Sequence, residues 1–289
     1  MNYTERALCF QCQESALFGI LSMPKVAGKR GVLFVVGGPQ YRAGSHRQFT
    51  LLARQFASEG IPAMRFDYRG MGDSEGEQRE FTAIDEDIRV AVDRFFQEVP
   101  EIEEVVLWGL CDAASAALFY AHQDSRITGL VLLNPWVRTE QGAAKAYLKH
   151  YYLARLFDRQ LWRKIIAGQF ALSAAALSFK QQIGKIMFRK KNLPTDVEIE
   201  NSYQIAIDLP NKIKTGLRLF KGRTLFILCT NDLTAQEFSD LANSSKEWKK
   251  LMASPKISRQ NLADANHTFS QRRWREKIAL WTIDWIKTP

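Results

Sequence analysis

The chain predicts an α/β protein with a mostly parallel central sheet, helices on both faces, and a helical insertion after the sixth strand. Two observations predict it. Short apolar runs rich in β-branched and aromatic residues alternate with amphipathic stretches of helical period, as stacked βαβ units do. That rhythm then stops for some eighty residues after Pro135 and resumes near Thr224. The apolar content of 46% is ordinary for a globular protein, and 289 residues suit one α/β core with an insertion.

The elements follow in order. Ala7–Cys12 and Ala16–Met23 read as an antiparallel pair, and Gly31–Val36 as a buried strand ending at Gly37-Gly38-Pro39. Ser45 and Gln48 suit a capping box for a helix whose stripe is Phe49, Leu52, Ala53 and Phe56. Strand Pro62–Asp67 follows, then a helix opened by Thr82 and Asp85 that turns Ile84, Ile88, Ala91, Val92 and Phe95 inward. Next come strand Val105–Gly109, helix Ala113–His122 and strand Gly129–Leu133. After the insertion the pattern gives strand Thr224–Thr230, a helix near Gln236–Met252, strand Lys256–Leu262, and a last helix carrying Trp274, Ile278, Trp281 and Trp285. Domains are therefore expected at 1–136 with 222–289 for the core and at 137–221 for a helical cap.

Composition narrows the function. Between Arg138 and Lys191 there are twelve Lys/Arg against Glu140 and Asp158, an excess of ten, while the whole chain carries +9. This basic cap is a solvated face or attracts an anionic substrate, a carrier protein or a membrane surface. With no zinc-finger or helix-turn-helix pattern and the charge confined to one insert, nucleic acid is not expected. No stretch reaches the ~18–20 apolar residues of a membrane span. The opening MNYTERALCF lacks the basic-then-apolar pattern of a signal peptide, so a cytoplasmic setting with reduced thiols is expected. Cys9 and Cys12 face opposite sides of a strand with no second such pair, so they read as structural rather than metal-binding.

The chemistry centres on Leu107-Trp108-Gly109-Leu110-Cys111-Asp112-Ala113-Ala114, which runs from a buried strand straight into a small-residue helix. That is the setting of a nucleophile elbow, with Gly109 and Ala113 meeting its need for small flanking residues and cysteine at its centre. A helix N-terminus favours the thiolate there. The competing reading is a buried cysteine acting as a small hydrophobe. Gly72-Asp73-Ser74-Glu75-Gly76 is a literal G-x-S-x-G, but it neither follows a strand directly nor starts a helix, so Ser74 is read as part of a loop. Ser115 reads as a packing residue. Of the four histidines, His46 precedes the elbow, His122 ends its helix and His150 is in the cap. His267 follows the last strand, where a base is presented, and Asp232 follows the seventh strand as the orienting acid. The order nucleophile, acid, histidine is that of the α/β-hydrolase fold. The oxyanion donors expected are the N–H of Asp112 and of Gly38, with Gln40 as second choice because Pro39 has none. Gly37 and Gly38 also suit a plain tight turn.

Gly37–Phe49, Arg65–Gly76, Trp108–Ala113, Lys149–Leu156 and Asn231–Gln236 together resemble the type-1 hydrolases associated with bacterial exosortase-A systems. The resemblance implies a cysteine elbow on an α/β-hydrolase fold. It also implies a setting near exopolysaccharide genes, often beside an acyl ligase and an acyl carrier protein. The loop Asp264–Phe269 departs from it in lacking an acid just before His267. The expected activity is hydrolysis or transfer of an acyl group from an ester or thioester, with no metal or organic cofactor. The rival is a non-catalytic binding or scaffold protein on the same fold. A dehalogenase or epoxide hydrolase would place Asp at the elbow centre, one residue before Asp112.

Overall fold

The computed structural model describes residues 2–38, 41–137 and 209–288. Eight strands form one sheet: β1 (Tyr3–Cys12), β2 (Ser15–Pro24), β3 (Arg30–Val35), β4 (Ala63–Phe66), β5 (Glu104–Leu110), β6 (Ile127–Leu133), β7 (Arg223–Cys229) and β8 (Ile257–Leu262). Their order across the sheet is β1-β2-β4-β3-β5-β6-β7-β8, with β1 and β2 antiparallel to their neighbours and all other pairs parallel. The described helices are α1 (Gln48–Ser58), α2 (Asp85–Glu98), α3 (Asp112–Ala121), α4 (209–219), α5 (Leu233–Ala242), α6 (Lys246–Met252) and α7 (Arg272–Lys287).

The nearly continuous apolar runs of the inner strands β3, β5, β6 and β7 have a plain cause: both faces are covered. Side chains alternate along each strand, so Val32, Phe34, Val106, Trp108, Val131 and Leu133 enter one core cluster while Leu33, Val35, Val105, Leu107, Leu130 and Leu132 enter another. Helices α1 and α7 seal the first face through Phe49, Leu52, Phe56, Trp274, Ile278 and Ile283. Helices α2 to α6 seal the second, through residues such as Ile88, Ala117, Ile213, Phe238 and Trp248. Each fully buried large apolar side chain contributes about 1.5–3 kcal/mol.

Three local expectations are corrected. A turn at Ser45–Arg47 with φ 54 at His46 and 59 at Arg47 precedes α1, which has no side-chain cap bond. Left-handed backbone at two successive residues breaks the spacing that a Ser45–Gln48 capping box needs. Thr82 lies in a separate short turn, Phe81–Ala83, and α2 starts at Asp85. The single helix expected near Gln236–Met252 is two, because Ser245 caps α6 by accepting from Trp248 N at 3.2 Å.

Contacts divide the chain into Met1–Val137 with Pro210–Pro289 and Arg138–Leu209. Residues 210–221, expected within the cap, thus fall in the core unit, where Ile213, Leu217 and Phe220 are buried. A Cβ at Gly216 would come within 2.9 Å of Leu118 O, so α4 lies close on α3. The rest of the expected cap, with His150, lies outside the described residues. Among those described, no helix is long and apolar enough to cross a membrane.

Candidate active site

The topology prepares a site before any side chain is considered. From β3 the chain moves one way to β4 and then back across to β5, so loops after β3 and β5 diverge from neighbouring strands at their C-terminal ends. The register pairs Val35 with Gly109, Leu110 with Leu133, Leu133 with Ile227, and Cys229 with Leu262. The ends of five adjacent strands therefore converge, and every residue expected at the site follows one of them.

Cys111 stands between β5 and α3 with φ 62 and ψ −124, a conformation that costs a non-glycine residue about 1–3 kcal/mol. The neighbourhood over-determines it. Its N–H donates to Leu133 O at 2.9 Å, and its carbonyl accepts from Ala114 N at 3.1 Å and Trp136 N at 3.1 Å. A Cβ at Gly109 would sit 2.6 Å from Ala113 O, so the tight elbow requires glycine there. Half-buried Cys111 lines a cavity of about 560 Å³ whose apolar wall is Phe49, Phe81, Leu110 and Trp136.

His267 lines the same cavity, and its Nδ1 lies 2.7 Å from Asp232 Oδ2. The hydrogen bond to Asp232 first, then one with Cys111, raises the imidazole to about 10 against the opposing effect of burial. The imidazole thus has the Asp232 carboxylate at Nδ1 and shares the cavity with Cys111, an arrangement that favours its protonated form. Asp232 is buried and caps α5, accepting from Thr234 N at 2.9 Å through Oδ1.

Sequence reasoning missed Asn134. Its Nδ2 donates to Asp232 Oδ2 at 2.6 Å and its Oδ1 accepts from Cys229 N at 2.9 Å, with the residue fully buried at φ 43. The available signal was an Asn-Pro pair directly after a strand, since Asn tolerates left-handed backbone. The Asp112 side chain was also missed: it lines the cavity and accepts from Gly38 N at 2.8 Å. The Gly38 amide is thus engaged in this structure, and Gln40 lies outside the described residues.

The other candidates fall elsewhere. Ser74 Oγ donates to Asp67 O at 2.7 Å and accepts from Phe18 N at 2.9 Å, tying its loop to β2 away from the cavity. Ser115 donates to Trp136 O at 2.7 Å. His46 sits in the turn before α1 and His122 follows the end of α3. Cys9 is exposed; Cys12 and Cys229 are buried, and burial pushes the Cys229 thiol up to about 12. Among the described residues no group of three His, Cys, Asp or Glu is arranged to hold a metal.

Residues 28–192, more than half of the chain, match the Hydrolase_4 family, described as serine aminopeptidase, S33. The chain belongs to this family. It is a hydrolase of the α/β-hydrolase fold, carrying cysteine at the elbow of a family named for serine. Over 94 residues it is 31% identical to the quorum-quenching protein AidA of Acinetobacter baumannii (strain MDR-ZJ06), covering 31% of each chain. It is also 31% identical over 94 residues to the polyketide transferase grgF of a Penicillium species, covering 30% of this chain and 31% of that one. The matched stretch spans about a third of either relative's length. The Pyrococcus furiosus esterase Pf2001 superposes with TM-score 0.65 at 14% identity, covering 99% of this chain and 92% of that one. GrgF superposes with TM-score 0.63 at 18% identity, covering 98% of each. At such identities these likenesses speak for the shared fold.

Proposed function

We propose that this S33-family hydrolase cleaves or transfers acyl groups from esters or thioesters through an acyl-cysteine at Cys111. The observation that carries the reading is Cys111 on a strained elbow and His267 lining one apolar cavity, with His267 Nδ1 held 2.7 Å from Asp232 Oδ2. The Cys111 thiolate attacks the carbonyl carbon and the oxygen becomes an anion held by backbone N–H groups, those of Asp112 and Gly38 or alternatively of Gln40. Collapse breaks the bond to the leaving alkoxide or thiolate, which takes the His267 proton. Water or another nucleophile then gives its proton to His267, attacks the thioester and releases the acyl group, restoring the thiolate. Asp232 fixes the imidazole ring and stabilises its charge.

The esterase Pf2001 and the polyketide transferase GrgF are named for hydrolysis and for transfer respectively, and both outcomes are open to an acyl-cysteine. The resemblance to the exosortase-associated group favours a carrier- or CoA-bound donor. The excess of ten positive charges in 138–191 suits the phosphate of such a donor, an acidic carrier protein or an anionic membrane surface.

The test is intact-mass detection of an acyl adduct after incubation with acyl thioesters and esters, comparing the native protein with Cys111→Ala and Ser74→Ala. Cys111→Ala should abolish the adduct and lower turnover by about 10⁴-fold or more while the fold persists. Retained turnover there, with loss in Ser74→Ala, would overturn the assignment. Cys9 is exposed, so thiol probes must be compared by rate at Cys111 and Cys9 rather than by presence.

A further inference from the structure

The donors an oxyanion would use already hold an anion. Gly38 N–H donates to Asp112 Oδ2 at 2.8 Å and Ala113 N–H donates to Asp112 Oδ1 at 2.9 Å. These groups come from the loop after β3 and the first turn of α3, and Gly38 and Asp112 line the same cavity as Cys111. The pocket for the carboxylate exists because residue 37 has no side chain: an added Cβ at Gly37 would overlap Asp112 Oδ1.

We infer that the Asp112 carboxylate is a built-in oxyanion mimic, which fills the oxyanion hole of the resting enzyme and gives way only when a well-bound acyl group presents its carbonyl. The inference rests on the reading of Cys111 as nucleophile. A neutral carbonyl accepts weaker hydrogen bonds than a carboxylate, so by itself it does not displace Asp112. The difference comes from burying the acyl chain against Phe49, Phe81, Leu110 and Trp136. Asp112 therefore makes opening of the hole depend on the acyl chain, which makes it a specificity-determining residue. Two features favour its departure. Burial holds its carboxyl above the ordinary value even against the backbone amides of Gly38 and Ala113, which are the main offset, and the smaller pull of His267. Once the tetrahedral intermediate forms, its own negative charge competes for the same amides.

The hemithioacetal of a long-chain aldehyde with Cys111 isolates this step, because it builds the tetrahedral oxygen without turnover. Its dissociation constant is measured by carbon-13 NMR of octanal labelled at C1, in the native protein, Asp112→Ala, Asp112→Asn and Cys111→Ala. Alkylation of Cys111 by iodoacetamide, which builds no oxyanion, normalises for thiolate reactivity. After that normalisation, Asp112→Ala should bind the adduct at least about tenfold more tightly, and Asp112→Asn at least about threefold. Asp112→Ala should also narrow the preference for octanal over acetaldehyde. A merely structural role would weaken the adduct on substitution. Equal or weaker adducts in both Asp112 variants, with Cys111 still alkylated, overturn the mimic and leave the nucleophile standing. A signal unchanged in Cys111→Ala, or absent from every variant, overturns the nucleophile and the mimic with it.

Discussion

Replacing Asp232 by Asn exposes how the acid works, because an amide offers one acceptor where three donors converge. Thr234 N–H points at Oδ1, while Asn134 Nδ2 and His267 Nδ1 point at Oδ2. Asn134 cannot turn over to help, since its oxygen already accepts from Cys229 N–H. Two outcomes exist for Asp232→Asn. If the amide oxygen faces His267, the cap of α5 is lost at about 1 kcal/mol and the ring keeps its tautomer. If the nitrogen faces it, the ring takes the opposite tautomer and can no longer accept the thiol proton, a loss of about 10⁴-fold.

In both cases the carboxylate that holds the imidazolium up to about 10 is gone. Cys111 still raises the ring, so the ordinary ~6.5 is the limit: there the imidazole is about a quarter protonated at pH 7 and about one part in a hundred at pH 8.5. With the tautomer kept, kcat/KM should therefore fall by up to roughly fourfold at pH 7 and by up to roughly a hundredfold at pH 8.5, the loss growing with pH. The alkaline limb of the native enzyme should lie near the His267 value of about 10. The assay is thioester turnover from pH 5 to 10.5 in both proteins. A silent substitution, or a small loss flat with pH, would refute the reasoning and turn attention to Asp264. The same pair links stability to pH: the folded state binds the His267 proton more tightly than the unfolded state. That contribution is complete below ~6.5 and is lost as pH rises through about 10.

Two further outcomes follow from packing. Arg69 and Asp87 form a buried two-pronged pair, with Nε donating to Oδ1 at 2.9 Å and Nη2 to Oδ2 at 2.8 Å, so Asp87→Ala should lower unfolding free energy by about 3–5 kcal/mol. Urea titration checks this, and a change below ~1 kcal/mol would mean the Arg69 charge finds solvent. Gly109→Ala sets a methyl against Ala113 O and should displace the elbow, lowering kcat/KM about a hundredfold with far-UV dichroism preserved. Unchanged turnover would show that the elbow has room the geometry denies.

The inner parallel strands β3, β5, β6 and β7 were legible because their apolar runs are nearly continuous, whereas β8 at the edge carries Ser258, Arg259, Gln260 and Asn261 between Ile257 and Leu262. The turn before α1 was not legible, because left-handed backbone at His46 and Arg47 leaves no mark in residue type. The break between α5 and α6 was missed for a related reason: Ser245 suits a cap and a helix surface alike until the chain chooses.

The sequence by itself determined the order of elements, the elbow around Cys111, and the candidacy of Asp232 and His267. It could do so because strand ends are set by local pattern and the fold presents its chemistry at strand ends. Only the tertiary structure decided which side chains meet there. Asn134 reaches Asp232 from 98 positions away in the chain, and the Asp112 carboxylate meets the Gly38 amide across 74. Neither spacing has a period that a local pattern can report. Both contacts arise from sheet register, which sets β5 beside β3 and β6 beside β7 and so fixes what each loop can touch.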